Sequence, residues 1–509
     1  MKMLLKNLRT LAVLTITIVL MISSVTSALA AKPALNNSLA LTPPMGWNSW
    51  NKFGCNVTDA LIRQMADAMV SSGMAAAGYK YIIVDDCWQG TGRTNGHVNL
   101  DPDFPNMKAL ADYVHSKGLK FGLYSDHGSA TCQGRVGSYG YETTDAQDYA
   151  SWGVDYLKYD NCNLVAGSTL QADYTRMRDA LAATGRPIVF SICAWHYESW
   201  MPSVGNLWRT TGDISNSWNG MIGIPDTNNQ TASVAGPGAW NDPDMLEVGN
   251  GGMTDTEYRT HMSLWAIMAA PLISGNDLRS MTQATKDILM APEIVAVDQD
   301  ALGKQGTRVW VGGSGNWLNI WSKQLSGTNV RAVALFNGTT AAASITVNWS
   351  QISLPAGNAT VRDLWARTDL GSFNNSYTVS VPAHGTVMLK IVSASSGPTS
   401  TPTPSSSVEA ETGALSGAAV IASCASCSGG SAVGYIGNGT ANYDTLTVNA
   451  SVSGNQSLTI YGLVSGTRSF SVSVNGGPAQ VVSMTGTSWT TPTSSTPSPS
   501  ASRISSAAG

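Results

Sequence analysis

Between Leu41 and Leu278 short apolar runs alternate with amphipathic stretches, and this alternation limits the possible folds more than any other feature. The runs with strand length are Met45–Trp50, Tyr79–Asp85, Lys120–Ser125, Val154–Tyr159, Pro187–Cys193, Leu207–Asp213, Ala239–Asp244 and Pro271–Ser274. Between several of them, Asp59–Ser72, Met107–Lys117 and Gln171–Thr184 space their apolar residues as helices do. Eight strands alternating with helices over about 235 residues predict an α/β fold, a (β/α)8 barrel. Most runs end on polar or aromatic groups: Trp50, Asp85 with Asp86, Asp126, Asp160, Asp213 and Asp244. Such clusters at the C-terminal ends of barrel strands are where active sites form.

The pattern then changes. Residues 302–392 carry strand runs without helices, which predicts an antiparallel β-sandwich after the barrel at 31–301. One run expected there is Ser376–Val381. Residues 393–407 are a Ser/Thr/Pro linker with no means of forming a core. Residues 408–489 are again β-rich, and 490–509 have the composition of a disordered tail. At the other end Lys2, Lys6 and Arg9, an apolar run from Leu11 to Ile22 and the small residues Ala28 to Ala30 form an export signal. Cleavage near Ala30 would give a secreted chain whose formal net charge moves from −4 to −7. An acidic chain without basic runs argues against nucleic acid and anionic membranes as partners.

An exported chain permits disulfides, and seven cysteines leave at least one unpaired. Cys424 and Cys427 fit a local disulfide better than a zinc site, since no second pair supplies four ligands. Six scattered histidines without H-E-x-x-H make a catalytic metal improbable, and no cofactor is expected in the barrel.

Val154 to Cys162 is the stretch richest in chemistry. Lys158 and Asp160 are two residues apart, so on a strand they share a face. The ammonium favours an ionised Asp160, a plausible nucleophile for carbon. By itself the same pair also describes a structural ion pair at a strand end. The other motifs decide between the two.

Those motifs are Thr42–Trp50 (TPPMGWNSW), Asp85–Trp88 (DDCW), Gly122–Asp126 (GLYSD), Leu157–Cys162 (LKYDNC), Trp208–Asp213 (WRTTGD) and Gly238–Leu246 (GAWNDPDML). With Trp265–Leu272 and Asn276–Leu278 they resemble, in order, the family 27 glycoside hydrolases, the α-galactosidases or melibiases. The resemblance implies a retaining exo-glycosidase that removes terminal α-D-galactosyl residues from oligo- or polysaccharides. It places the nucleophile at Asp160 and the acid/base at Asp213, at the ends of strands four and six facing across the barrel mouth. Retention needs two carboxyls about 5–5.5 Å apart, with the acid starting protonated. It also implies that Asp85 and Asp86 bind the 4- and 6-hydroxyls, that Lys158 bonds the sugar and holds Asp160 charged, and that Arg209 lies near the substrate. Trp50, Tyr124 and Trp195 would wall the sugar's C–H face, with Met245 beside them, and Cys193 and Asp244 would join the substrate-binding set. The family's pairings carry over as Cys55–Cys87 and Cys132–Cys162, leaving the Cys193 thiol buried and inert.

One loop departs from the family pattern. Many α-galactosidases have Cys-Glu-Trp after strand five, where this chain has Cys193, Ala194 and Trp195. A small residue there would admit an acetamido group at C2, although the bulk of Tyr197 would refill that space. An α-N-acetylgalactosaminidase or a β-L-arabinopyranosidase is therefore the rival reading. A non-catalytic carbohydrate-binding protein is the remote one. Farther on, Glu409 to Glu411, Cys424 to Gly430 and Val433 to Gly437 resemble the start of a family 35 carbohydrate-binding module, truncated before its final strands. Glu409 and Glu411 would be ligands of an incomplete, weak calcium site there.

Overall fold

The computed structural model describes residues 35–393 and, farther on, 409–424, 427, 431–434, 443–445, 460–472 and 480–495. The expected leader, residues 394–407 of the linker and the end of the tail lie outside the described residues. The chain forms two compact units, Met1–Ser396 and Gly397–Gly509.

In the first unit eight parallel strands curl into one sheet. They are β1 (Met45–Asn48), β2 (Tyr81–Val84), β3 (Lys120–Asp126), β4 (Tyr156–Asp160), β5 (Val189–Ile192), β6 (Leu207–Arg209), β7 (Trp240–Asp242) and β8 (Leu272–Ser274). Chain order is spatial order, except that β8 lies beside β1. A parallel bridge between Leu246, just beyond β7, and Ser274 closes the ring. The Leu246 N–H donates to the Ile273 carbonyl at 2.8 Å, and the Gly275 N–H donates to the Leu246 carbonyl at 3.1 Å.

Alternate residues of these strands serve two cores. Tyr81, Ile83, Tyr156, Val189, Leu207, Trp240 and Ile273 form a buried cluster inside the ring. Ile82, Val84, Leu157, Phe190, Trp208 and Leu272 join the larger core outside it, with the helices. Both faces are dry, which is why the runs read as nearly continuous apolar sequence. Helices start where side chains satisfy their first N–H groups: Thr58 accepts from Leu61, Asn106 from Ala109 and Thr169 from Ala172.

The strands stop earlier than the apolar runs do. The sixth run was expected to carry Asp213 at its end, but β6 ends at Arg209 and Asp213 lies in the loop beyond. The fourth and sixth strands also do not face each other across the mouth; only β5 separates them, because each crossover adds the next strand alongside the last. Between β2 and β3 a hairpin, Gln89–Thr94 returning through His97–Leu100, escaped the pattern because its residues lack apolar alternation and only three of the ten are buried.

The second layer is a sandwich of β9 (Thr307–Gly312), β10 (Leu318–Gln324), β11 (Val330–Asn337), β12 (Ala343–Asn348), β13 (Asn358–Asp363), β14 (Thr368–Asn374), β15 (Ser376–Val381) and β16 (Thr386–Ser393). Six form one sheet in the order β9-β10-β11-β16-β13-β14, and β12 pairs with β15. β14 was not anticipated: TDLGSFN is an exposed edge strand without apolar alternation. The period of two on β11 joins the layers, since Ala332, Ala334 and Phe336 enter the barrel's core while Val333 and Leu335 enter the sandwich's own. The helix Asp255–Ile267 seals the seam, with Thr260 donating to the His384 carbonyl at 2.7 Å and Ser263 accepting from the Trp365 indole at 3.0 Å.

The second unit contains three antiparallel pairs among the described residues: Ala414–Ser416 with Tyr443–Thr445, Val420–Ser423 with Ser431–Gly434, and Ile460–Val472 with Gln480–Ser495. The last strand corrects the expected start of the tail at 490. Residues Thr493 to Ser495 still pair with Ile460 to Gly462, because backbone pairing needs no apolar side chains.

Candidate active site

β4 ends the way its spacing suggests. Tyr156 belongs to the inner cluster and Leu157 and Tyr159 to the outer core, so Lys158 and Asp160 share the inward face. The direct ion-pair partner of Lys158 lies on another strand. The Lys158 Nζ lies 2.8 Å from Asp85 Oδ2, and it acts on Asp160 only through its field. Asp85 also accepts from Asn48 Nδ2 at 2.7 Å and, at its backbone N–H, bonds the Ser49 hydroxyl at 3.0 Å. Burial alone would lower the Lys158 pKa, but Asp85 and neighbouring acids hold it well above the ordinary value.

Asp160 is buried, with only 6% of its surface exposed. Burial pushes its carboxyl above the ordinary range, Lys158 pulls it back, and the Asn161 N–H donates to it at 3.0 Å. Asp213 sits in the opposite setting, its side chain 70% exposed and its Oδ1 3.1 Å from Arg209 Nη2. Arg209 is buried and also contacts Asp244 at 3.0 Å and the Cys193 sulfur at 3.6 Å. Contacts therefore run from Cys193 through Arg209 to Asp213. Cys193 is a free, buried thiol, and burial raises its pKa well above the ordinary value.

Asp85 and Asp86 both bury at the bend after β2, which passes through Cys87 at φ 84°. Asp86 accepts from the Cys87 N–H at 2.7 Å and the Gln133 N–H at 3.0 Å, and burial raises its pKa. Tyr124 packs under the Lys158 ammonium, 5.1 Å from ring centroid to Nζ, and its buried hydroxyl has no hydrogen-bond partner among the described residues. Trp195 and Asp244 also take positive φ, 62° and 82°. Three non-glycine residues in this sparse region, all beside the barrel mouth, mark backbone strain held by surrounding contacts. For Asp244 the holders are visible: its carboxylate accepts from Met245 and Ile214 N–H groups, both at 2.8 Å.

The pocket at the mouth is lined by Lys158, Cys193, Arg209, Asp244 and Met245 from the expected set. Trp50, Asp85, Asp86, Tyr124, Asp160, Trp195 and Asp213 are not among its lining residues, although Trp50 packs on the inner cluster. Asn48, Ser191 and Asp242 line it without having been singled out. Each stands two residues before one that was (Trp50, Cys193 and Asp244), so the period-two rule applied to Lys158 would have found all three. Asp242 keeps some solvent contact, yet burial raises its pKa to about 6 against the pull of Arg209. Neither Tyr197 nor Ala194 lines the pocket: the Tyr197 ring packs against Trp208 at 6.0 Å, and Ala194, 1% exposed, joins the outer core.

The disulfides Cys55–Cys87, Cys132–Cys162 and Cys424–Cys427 are all present. Cys132–Cys162 anchors the loop after β3 against the end of β4. Gly128 makes that approach possible, since a Cβ there would lie 2.1 Å from the Cys162 carbonyl oxygen. Among the described residues the one cluster with three metal-ligating groups is Asp126, Cys132 and Cys162, and its two sulfurs are bonded to each other. Glu409 and Glu411 gain no third such ligand among the described residues.

The family model described as alpha galactosidase A matches residues 42–300, and the one described as alpha galactosidase C-terminal beta sandwich domain matches residues 315–391. The chain is 52% identical to an alpha-galactosidase of Coffea arabica over 363 residues, 70% of this chain and 94% of that protein. It superimposes on alpha-galactosidase I from Mortierella vinacea with a TM-score of 0.68 at 40% identity, covering 70% of this chain and 99% of that one. The alpha-galactosidase of Saccharomyces cerevisiae solved with raffinose gives 0.65 at 29% identity, covering 71% and 99%. Barrel, sandwich, the carboxylate-lined mouth and these matches agree, and the chain belongs to the family 27 glycoside hydrolases, the α-galactosidases.

Proposed function

We propose that this enzyme is secreted and removes terminal α-D-galactosyl residues from oligo- or polysaccharides with retention of configuration. The contrasting settings of two carboxyls carry the reading, because Asp160 is buried in the field of Lys158 while Asp213 is exposed and held by Arg209. Asp160, stripped of water and held by the field of Lys158, attacks the anomeric carbon. Asp213 faces the solvent side, where the leaving oxygen departs with its proton and water later enters to hydrolyse the glycosyl ester. Asp85, fixed by Lys158 and Asn48, offers the paired-carboxylate recognition of the axial 4-hydroxyl, and an epimer would leave those buried bonds unmade.

The rival reading, tolerance of a 2-acetamido group, relies on a small residue at Ala194, and Ala194 is buried in the outer core away from the pocket lining. One panel tests both. With chromogenic α-galactoside, α-N-acetylgalactosaminide and β-L-arabinopyranoside, the galactoside should turn over fastest and NMR should show α-galactose as its first product. First release of the β-anomer would sink the double displacement, and a faster acetamido sugar would reverse the substrate order. Export is tested by sequencing the N-terminus of protein from the culture medium, which should begin near Ala31; a retained leader would refute it.

A further inference from the structure

A second cleft, of about 360 Å³, opens at the seam between barrel and sandwich and shares no lining residue with the active pocket. Its size falls within the range of small-ligand sites, roughly 300–1,000 Å³. Trp317 lines it and stays 44% exposed, whereas Trp321 in the same wall is buried. The Trp317 ring is clasped by backbone: a Cβ on Gly338 would come within 2.7 Å of it, and one on Gly315 within 3.0 Å. Gly338 also donates to the Trp317 carbonyl at 2.8 Å. An exposed indole held this firmly offers a flat apolar face at little cost in side-chain ordering.

The polar groups beside it are equally fixed. Arg308 pairs with Asp226, donates to Asn319 Oδ1 at 3.2 Å and lies 5.9 Å from the Trp321 ring centroid. Asn319 is 3% exposed and donates to the Asn316 carbonyl at 3.1 Å. The Arg308 and Asp226 charges cancel, so the cleft has no net attraction for an ion. What remains is an aromatic face beside fixed donors and acceptors, the complement of a neutral sugar ring with its C–H face and hydroxyls. The wall from Ile222 to Asp226 also continues from the loop that carries Asp213, so cleft and acid/base sit on one stretch of chain.

We infer that this cleft is a saccharide-binding subsite that holds a neutral hexose unit of a galactose-bearing polysaccharide. The inference rests on the galactosidase reading for its choice of polymer, though not for the binding itself. The test is calorimetric titration of the full chain carrying Asp160→Asn with a galactomannan oligosaccharide, against the same chain with Trp317→Ala added. The expected result is one binding site fewer per chain in the second variant, with Trp317→Tyr restoring it. In otherwise unmutated enzyme, Trp317→Ala should raise KM for galactomannan several-fold and leave KM for a nitrophenyl galactoside unchanged. The oligosaccharide should also shield Trp317 of the Asp160→Asn chain from N-bromosuccinimide, read by peptide mass spectrometry. Equal site numbers in the two folded variants, or no protection of Trp317, would overturn the subsite. Protection of Trp317 in a chain whose parent hydrolyses no galactoside would instead remove the proposed activity and leave the subsite standing.

Discussion

Replacing Asp160 with Ala is expected to lower kcat for an α-galactoside by roughly 10⁴-fold or more, the scale of losing a nucleophile that works as part of a unit. Added azide should restore turnover, because it can enter the space the carboxylate leaves and attack the same face. The product should be β-galactosyl azide, formed by a single inversion. No rescue, or rescue giving the α-azide, would take the nucleophile's role away from Asp160. The acid limb of kcat/KM in the parent enzyme reports Asp160 losing its proton. Burial raises that pKa, so the limb should lie above the ordinary carboxylate range.

Lys158→Met should destabilise the fold by about 3–5 kcal/mol, the cost of leaving one member of a buried ion pair without its partner. The stranded member is Asp85, whose side chain is 2% exposed. Adding Asp85→Asn removes the second charge and should recover most of the loss, so chemical denaturation of the two single variants and the double variant should reveal strong coupling. Additive losses would mean that the 2.8 Å contact contributes nothing of its own. Any activity left in Lys158→Met should show an acid limb moved to higher pH, since Lys158 is the group that lowers the Asp160 pKa.

The barrel strands were legible because a strand buried on both faces must be apolar along its length, and Tyr81 to Val84 satisfy that locally. Where a strand needs no buried face, as in Thr368–Asn374, the signal vanished. Among site residues, Lys158 and Asp160 were placed on one face by spacing alone. Asp242 and Ser191 were open to the same argument.

The partner of Lys158 could not be read this way. Asp85 lies on another strand, and whether the ammonium pairs with it or with Asp160 depends on distances of a few tenths of a nanometre across the barrel mouth. The sequence by itself determined which residues face inward, which cysteines are available to bond and where the motifs lie, since these follow from local periodicity and order. Only the tertiary structure decided that Asp160 is buried while Asp213 is exposed, and that Arg209 links Asp213 to Cys193. Solvation and charge coupling depend on every neighbour within several ångströms, and here those neighbours come from strands that are far apart in the chain.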